Sequence, residues 1–448
     1  MSGLTDSKSI TLRDDEMLDL LSEETKFKWW IKLEKIVAEE QAKLGLIPKE
    51  YADAIDEEVK FENFSREKYE KYLKKLGHGF YSFVETVLEG TSETCKKYFH
   101  YGITTQNIQQ STQILMIRDF NKIVNERLDE ILDNLCELAY KHKDDIIIAR
   151  THSKHAMPTT FGYIVSSWIE ELKSSIKMFN LGADLFEEIM FGGAIGAFNS
   201  LGDKGFDLQN NIAKRLDIRA MPIPSRNIQS PRISYIMGII SVTNVLHKIA
   251  ESVYNNSTEE ISEFTEYSHP SQVGSSTMPH KINPKLSKGI IGNSAKIYDL
   301  ISSSLFANTK PYESNSSSYM ILDSNIDDAL NYLYEVIIRA KSLSSNLVFH
   351  KEKALQNILN NGGLDNSEYI MMKLSESLGK YKAHSIIHVL AIEYQNNKDK
   401  NYLDILMSNE LISEKHTRDE VSEWLDPKNY LGLSSRLTEL TVKNCKNN

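Results

Sequence analysis

The residues of this chain with the clearest chemical potential lie together at 274–284, where the sequence reads GSSTMPHKINP. Ser275 and Ser276 place two small hydroxyl groups directly behind a glycine, on a backbone that can move. Lys281 and Asn283 add a cation and an amide beyond a stiffening Met-Pro pair. These groups suit the removal of a proton from a carbon next to a carboxylate, since the resulting dianion needs preorganised donors.

Two other polar clusters interrupt stretches that are otherwise typical of helices. They read HYGITTQN at 100–107 and RTHSKHAMP at 150–158. Each combines hydroxyls or amides with a histidine or lysine, and helix ends add free backbone N–H groups that favour bound carboxylates. A single cluster of this kind is more often a solvated turn. The three clusters together favour a shared anion-binding site.

Long amphipathic helices must position these clusters. Apolar residues recur at helical spacing over most of the chain, and prolines and glycines are few, at 10 and 21. The pattern predicts a small helical unit from about residue 350 onward and helices at 14–45, 65–90, 113–142, 160–190, 232–262, 287–308 and 324–347. Helices near 30 residues rarely bury their apolar stripes alone, so we expect several subunits to associate through the central region.

The glycine-rich run FGGAIGAF at 191–198 superficially resembles a phosphate-binding loop. It follows a predicted helix, and no βαβ unit surrounds it, so close approach of helices explains it better than a dinucleotide site.

Composition excludes several broad classes of function. The formal net charge of −10 argues against nucleic acid as the main partner. The three cysteines, Cys95, Cys136 and Cys445, show no CxxC spacing, which indicates a reducing compartment and no metal site. We expect no membrane-spanning segment, because no apolar stretch approaches the necessary length, and we expect a cytoplasmic protein.

The three clusters, in their order along the chain, resemble the signature segments of the fumarase/aspartase superfamily. The nearest likeness is to its branch of adenylosuccinate lyases and 3-carboxy-cis,cis-muconate cycloisomerases. HYGITTQN resembles that branch's HxGxTSxD segment, and the segment from Ala149 to Gly162 resembles its GRTHxQxAxPxTFG segment. GSSTMPHKINP matches the GSSxMPxKxNP signature throughout. The likeness extends from about residue 14 to the segment LDPKNYLG at 425–432, which is closer to the cycloisomerases.

This resemblance implies an all-α subunit of three domains. They would be an N-terminal helical domain at 1–108, a central bundle of long helices at 109–348 and a C-terminal helical domain at 349–448. The central bundles would assemble into a homotetramer with composite active sites, each drawing its signature segments from three subunits. The substrate would be a small dicarboxylate-type molecule, and no cofactor is implied.

Roles carry over onto matching positions only. Ser275 would be the base and His152 the general acid towards the leaving group. Lys281 and Asn283 would bind the carboxylate that becomes dianionic. Further substrate-binding residues would be Thr151, Thr104, Thr105, His100, Ser276, Met278, Gln229 and Arg232. His78 matches a further family histidine only loosely, and a helix-surface histidine is an equal alternative.

Four departures from the branch bear on the substrate. Lys288 stands where many members have a glutamate, and Asn107 replaces the aspartate of the first motif. Arg13 lies in a segment, SITLR, that lacks the Arg-Tyr pair with which adenylosuccinate lyases hold a phosphate. The segment SSYMI at 317–321 lacks the arginine of a second phosphate-binding segment. A phosphate without cationic donors loses much of its binding energy, so the standard purine substrate is in doubt.

The sequence therefore predicts a lyase that eliminates a C–N or C–O bonded group from a succinyl-type substrate and releases fumarate. A cycloisomerase acting on a muconate-like acid is the alternative, favoured by Lys288 and the C-terminal tail. A catalytically silent helical scaffold is the second alternative, against which the intact third motif argues.

Overall fold

The structure, a computed structural model, describes residues 12–269, 275, 277–313, 315–397 and 399–445. Within this part the protein is almost entirely helical, which confirms the predicted all-α class. Ser276 lies outside the described residues, so its predicted role stays a prediction.

The N-terminal part consists of short helices with side-chain caps. The predicted helix at 14–45 is divided, because Ser22 leaves the helical conformation and its side chain accepts a hydrogen bond from Thr25 N. The predicted helix at 65–90 is also divided, at Gly77, whose φ of 64° suits glycine, and at His78, whose Nδ1 accepts from Tyr81 N. The helices are α1 (Asp15–Leu20), α2 (Glu23–Lys43), α3 (Lys49–Glu58), α4 (Arg66–Leu76), α5 (Gly79–Leu88) and α6 (Glu93–Lys97), with a 3₁₀ turn at Phe61–Asn63.

Five long helices follow the predicted pattern with boundaries shifted by a few residues to about eight. They are α7 (Thr105–Lys141), α8 (Phe161–Phe186), α10 (Ser230–Asn256), α11 (Lys285–Asn308) and α12 (Ser316–Ser345), with the shorter α9 (Asp203–Arg215) between α8 and α10. Glycines let α8 and α10 approach closely: a Cβ added to Gly182 would lie 2.5 Å from Ser234 O, and one added to Gly238 would lie 3.0 Å from the Phe179 Cα.

Small strands connect the helices. The segment at 144–158, predicted only as a break, is an antiparallel hairpin of β1 (Ile146–Thr151) and β2 (Lys154–Thr160). The other pairs are β3 (Glu188–Ile189) with β4 (Arg219–Ala220), and β5 (Phe264–Glu266) with β6 (Leu347–Phe349). The run at 191–198 follows β3 directly and leads through a turn towards α9.

The C-terminal part is a set of short helices, as the sequence predicted. They are α13 (Lys351–Leu359), α14 (Ser367–Leu378), α15 (Lys380–Asn396), α16 (Tyr402–Met407), α17 (Glu410–Ser413), α18 (Arg418–Leu425) and α19 (Ser434–Cys445), with 3₁₀ turns at Leu364–Asn366 and Pro427–Asn429.

The chain divides into two compact units that both draw on the long helices. The first comprises Met1–Arg127, Ser175–Thr243 and Asn293–Ile338, and the second comprises Leu128–Ser174, Asn244–Gly292 and Arg339–Asn448. The first unit has an aromatic core around Phe27, Trp30 and Phe83, and the second has a core around Leu374, Tyr402 and Trp424. The predicted division into three domains stays a prediction.

One described helix, α10, is long and apolar enough to cross a membrane, which corrects the expectation that no stretch approaches that length. Of its most apolar window, 56% is buried inside the protein. Core helices of folded domains pass the same test, so this helix is weak evidence for a membrane span.

Candidate active site

The hairpin β1–β2 places Thr151 and His152 at its tip. Thr151 pairs with Lys154, so His152 and Ser153 form a two-residue turn, with φ of 50° and 61°. Positive φ at both central residues matches the right-handed twist of a hairpin but disfavours side chains other than Gly, Asn and Asp. The protein thus holds a strained histidine at an exposed tip, where its imidazole is accessible to a ligand.

A buried ion pair fixes the base of this tip. Arg150 donates to Glu263 through Nη1 at 2.6 Å and through Nη2 at 2.7 Å, and the Glu263 side chain is fully buried. Asn357 Nδ2 donates to the same carboxylate at 3.0 Å. A bidentate pair restricts the orientation of both side chains, so Glu263 positions the strand that ends in Thr151 and His152. Glu263 is absent from the predicted site.

Ser275 lies in a local arrangement that favours its deprotonated form. Its Oγ accepts hydrogen bonds from Met278 N at 3.0 Å and from Thr277 N at 3.3 Å. Two N–H donors directed at one oxygen stabilise an alkoxide more than a neutral hydroxyl. This geometry supports the role of a base that the resemblance implied for Ser275.

The remaining groups of the third motif follow a turn. Lys281 N donates to Met278 O at 3.0 Å, and the side chains of Met278 and Lys281 are exposed while Asn283 is half-buried. Lys281 is therefore open to an anionic ligand.

Glu266 connects the strand before the third motif with the helix that follows the motif. Its carboxylate, at the end of β5, accepts from Leu286 N at 2.9 Å, Ser287 N at 2.6 Å and Ser287 Oγ at 2.6 Å. A carboxylate at a helix N-terminus satisfies free N–H groups and interacts favourably with the helix dipole. Glu266 therefore holds the first turn of α11 against the strand from which the segment leaves. Lys288, in the same first turn, is exposed.

The first motif forms the entry to α7. Thr104 N donates to Asn107 Oδ1 at 3.0 Å, and Asn107 N donates to Thr104 O at 2.8 Å. Asn107 is fully buried, so the amide closes the turn that presents Thr104 and Thr105 without bringing a buried charge. An aspartate could accept the same bond from Thr104 N, and the Nδ2 of Asn107 has no hydrogen-bond partner among the described residues.

His100 is paired with a buried carboxylate. Its Nδ1 lies 2.6 Å from Glu34 Oε1, and Glu34 is only 2% exposed. Its Nε2 is buried and has no hydrogen-bond partner among the described residues. Glu34 therefore fixes the orientation of the ring, and the binding role of His100 stays a prediction.

Gln229 and Arg232 lie at the start of α10, and Arg232 has protein partners already. Its Nη1 donates to Asp323 Oδ1 at 2.5 Å and its Nη2 to Gln113 Oε1 at 3.3 Å. The Gln229 amide nitrogen donates to the backbone oxygen of Arg226. The structure thus engages both predicted residues in internal contacts, and their binding role stays a prediction.

The predicted residues fall into two groups. His100, Thr104, Thr105, Gln229 and Arg232 belong to the first compact unit, whereas Thr151, His152, Ser275, Met278, Lys281 and Asn283 belong to the second. Among the residues that the structure describes, no group of three or more His, Cys, Asp or Glu side chains could hold a metal ion.

Comparison with known proteins decides the family. A family model described as lyase matches residues 8–298, and a model of the adenylosuccinate lyase C-terminus matches residues 363–440. The chain belongs to this lyase family. It is an enzyme of the fumarase/aspartase superfamily, and the second match places it in the adenylosuccinate lyase branch, as the three motifs predicted.

Relatives of this lyase cover nearly its whole length. It is 29% identical over 440 residues to adenylosuccinate lyase of Methanocaldococcus jannaschii, spanning 96% of this chain and 94% of that one. It is 26% identical to N-acetyl-S-(2-succino)cysteine lyase of Enterococcus italicus, spanning 93% and 91%.

A solved structure shows the same fold. The 3-carboxy-cis,cis-muconate lactonizing enzyme from Pseudomonas putida superposes with a TM-score of 0.88 at 20% identity, covering 97% of this lyase and 98% of that enzyme. Identity at this level supports the architecture and does not identify the substrate.

Proposed function

We propose that this lyase catalyses anti β-elimination from a succinyl-type substrate and releases fumarate. The observation that carries the proposal is Ser275 Oγ, held by two backbone N–H donors within an intact third motif. The printed names of the two relatives, an adenylosuccinate lyase and a succinocysteine lyase, agree with a succinyl adduct as the substrate class.

In the proposed reaction, Ser275 removes a proton from the carbon next to a substrate carboxylate. The C–H bond breaks and its electron pair moves into that carboxylate, which Lys281 and Asn283 stabilise as a dianion. When the pair returns to form the C=C bond, the bond to the leaving group breaks. His152 then delivers a proton to the leaving nitrogen or sulfur.

We infer that the working form is a homotetramer with composite sites, and an apolar groove supports the association of subunits. Residues of α8 and α10, with Asn308 of α11, line this groove of about 320 Å³, in which Met178 and Leu181 are each 53% exposed and Met237 is 49% exposed. Exposed apolar surface of this kind on long helices is typical of subunit interfaces.

Subunit mixing tests the composite site. Ser275→Ala and His152→Asn chains, each inactive alone, should regain activity when refolded together, because some sites would then combine an intact base with an intact acid. Light scattering should give the mass of four chains. Recovery of no activity from a mixed tetramer would contradict the composite arrangement.

The acidic net charge and the cysteine pattern support a cytoplasmic enzyme without nucleic acid or membrane partners. Fractionation of cells that express the tagged chain tests this location.

The elimination itself is tested by following fumarate at its ultraviolet absorbance during incubation with succinyl adducts of purine nucleotides, amines and thiols. Fumarate should form from at least one adduct, and Ser275→Ala should lower kcat at least 1000-fold, the scale of losing a proton-transfer group. Ser385→Ala, at an exposed serine on α15, is the matched control. Unchanged turnover in Ser275→Ala would exclude this serine as the base.

A cycloisomerase remains a second candidate because Lys288 replaces the family glutamate and is exposed at the start of α11. The muconate lactonizing enzyme supports it through the fold alone. A lactone formed from a carboxymuconate without any fumarate would favour this candidate. No reaction with either class would favour the catalytically silent scaffold.

A further inference from the structure

A large polar cavity lies within the first compact unit. It measures about 760 Å³ and is lined by residues of α2, α4, α5, α7 and α12, together with Arg226. This volume is in the range of small-molecule sites. On α7 the cavity is lined by four amide side chains, those of Gln106, Gln109, Gln110 and Gln113. On α12 the lining residues include Tyr319, Asp323, Asp327 and Asn331.

Two buried polar atoms at the cavity wall are unpartnered. Trp30 Nε1 and Thr112 Oγ1 have no hydrogen-bond partner among the described residues, and the two side chains are 5% and 1% exposed. Leaving buried donors unsatisfied costs stability, so a site that keeps them is typically completed by a ligand or an ordered water.

Most of the charges around the cavity already have partners. Lys26 Nζ lies 3.8 Å from Glu23 Oε1, and Arg232 donates to Asp323 at 2.5 Å. Glu23 and Asp323 therefore each have a cation within ion-pair distance.

Arg226 is a cation at the cavity, and the charge of Asp323 acts on it from beyond ion-pair distance. In the part of the chain that the structure describes, no carboxylate lies within ion-pair distance of Arg226. Its guanidinium lies 3.4 Å from the centre of the Tyr319 ring and faces the amide of Gln110. Burial lowers the pKa of Arg226 because the cation has lost solvation. A bound carboxylate would stabilise the charged guanidinium in place of the water that burial removed.

Asp327 is an exposed carboxylate at the cavity, and the cations that act on it lie beyond ion-pair distance. Among the described residues, no cation lies within ion-pair distance of Asp327. Loss of solvation and the neighbouring acids Asp323 and Asp328 raise the pKa of Asp327 to about 6, while Lys26 and Arg232 lower it in part, so at neutral pH its carboxylate is charged and only partly compensated. A ligand cation would relieve this cost.

The guanidinium of Arg226 and the carboxylate of Asp327 lie at two different levels along α12. Tyr319, on which Arg226 stacks, precedes Asp327 by eight residues, which corresponds to about 12 Å of helix rise. A simple α-amino acid is too short to contact both. The matching ligand is an extended molecule whose carboxylate and cation are on the order of 10 Å apart.

We propose that this cavity binds an extended succinyl adduct, with a terminal ammonium or guanidinium at Asp327 and a carboxylate of the succinyl group at Arg226. This inference rests on the proposed elimination and deepens it: the substrate class becomes the succinyl adduct of an amine that carries a second, cationic end. Asp323 and Asp327 disfavour a phosphate at the same place.

Binding to the Ser275→Ala enzyme tests the inference without turnover. The probes are the N-(1,2-dicarboxyethyl) adducts of 1,5-diaminopentane and of pentylamine, which differ only in a terminal ammonium, measured by titration calorimetry at pH 8. The diamine adduct should bind about tenfold more tightly, the scale of one partly desolvated charge pair. Adding Asp327→Asn should abolish the preference, and adding Asp328→Asn, at an exposed neighbour that does not line the cavity, should retain it.

The preference should also decline between pH 7 and pH 5 as Asp327 becomes protonated. Equal affinity for the two adducts, or a preference that survives Asp327→Asn, would overturn the proposal, as would tighter binding of adenylosuccinate than of the diamine adduct. The two proposals fail separately. Selective binding with no fumarate from any adduct in the unmodified enzyme would refute the elimination only, whereas fumarate formation without selectivity would refute the cavity assignment only.

Discussion

Glu263 and Arg150 form a bidentate ion pair in which the carboxylate is fully buried and the two N–O distances are 2.6 and 2.7 Å. The pair lies two residues before His152, the proposed acid. This interaction connects the strand that ends at the hairpin tip to the protein interior, and His155 on the second strand lies 3.9 Å from the buried Asp365.

Glu263→Gln should therefore destabilise the protein by about 3 kcal/mol, because it leaves the Arg150 guanidinium without its counterion in a largely buried place. Urea unfolding measures the loss, and fumarate release should fall with it because the tip is no longer held. Glu259→Gln, an exposed position in the same connecting segment, should have no effect on either. Equal stability of the two variants would contradict the structural role of the pair.

Glu266→Gln should weaken the attachment of the Ser275 segment more than the fold. An amide retains one acceptor oxygen, so some of the three hydrogen bonds to Leu286 and Ser287 are lost, at a cost of about 1 kcal/mol. We expect kcat to fall about tenfold with a small change in KM, because Lys281 and Asn283 still bind substrate while the base is less well positioned. Steady-state kinetics checks this, and a change confined to KM would indicate a binding role instead.

The carboxylates of Glu263 and Glu266 could not be predicted from the sequence as parts of the site. The hydroxyl, lysine and histidine groups were found because each lies inside a compact motif. Their supporting acids, Glu34, Glu263 and Glu266, have no local signature: Glu34 is 66 positions from His100, and Glu263 is 113 positions from Arg150. Only folding brings such pairs together, so an isolated glutamate in a helical or extended segment gives no signal.

The sequence predicted the long helices of the fold but not all of their ends. Helical periodicity predicted the long helices, because a continuous apolar stripe persists through each of them. It did not predict the breaks at Ser22 and Gly77, where capping and a left-handed glycine interrupt a stripe that continues on both sides. The glutamines of α7 that line the cavity recur in the sequence at i, i+3, i+4 and i+7, and Ile117, four residues after Gln113, continues the same face of the helix.

Substitutions in the turn at His152 and Ser153 can distinguish an effect on backbone conformation from the loss of a proton donor. Asparagine tolerates positive φ, so His152→Asn should keep the hairpin while lowering kcat by about 100- to 10,000-fold through loss of the proton donor. Ser153→Gly should stabilise the protein by up to about 1 kcal/mol and retain activity. His384→Asn, at an exposed histidine of α15, controls for the substitution itself. Turnover by His152→Asn at the normal rate would remove this histidine from the mechanism.

The raised pKa of Asp327 should make the free energy of unfolding decrease as the pH rises, whereas a salt-bridged acid would make it increase. Its folded-state pKa of about 6 exceeds the ordinary 3.8, so the native state holds more protons than the unfolded chain between these values. Stability contributed by the protonated acid is therefore complete below about pH 4 and is lost as the pH rises through about 6. Asp327→Asn, which cannot ionise, should gain about 1 kcal/mol over the unmodified protein at pH 8, after allowance for solvent screening at a cavity that opens to water, and less at pH 5. Urea unfolding at the two pH values gives the comparison, and a gain of equal size at both would show that loss of packing or hydrogen bonding, not ionisation, sets the difference.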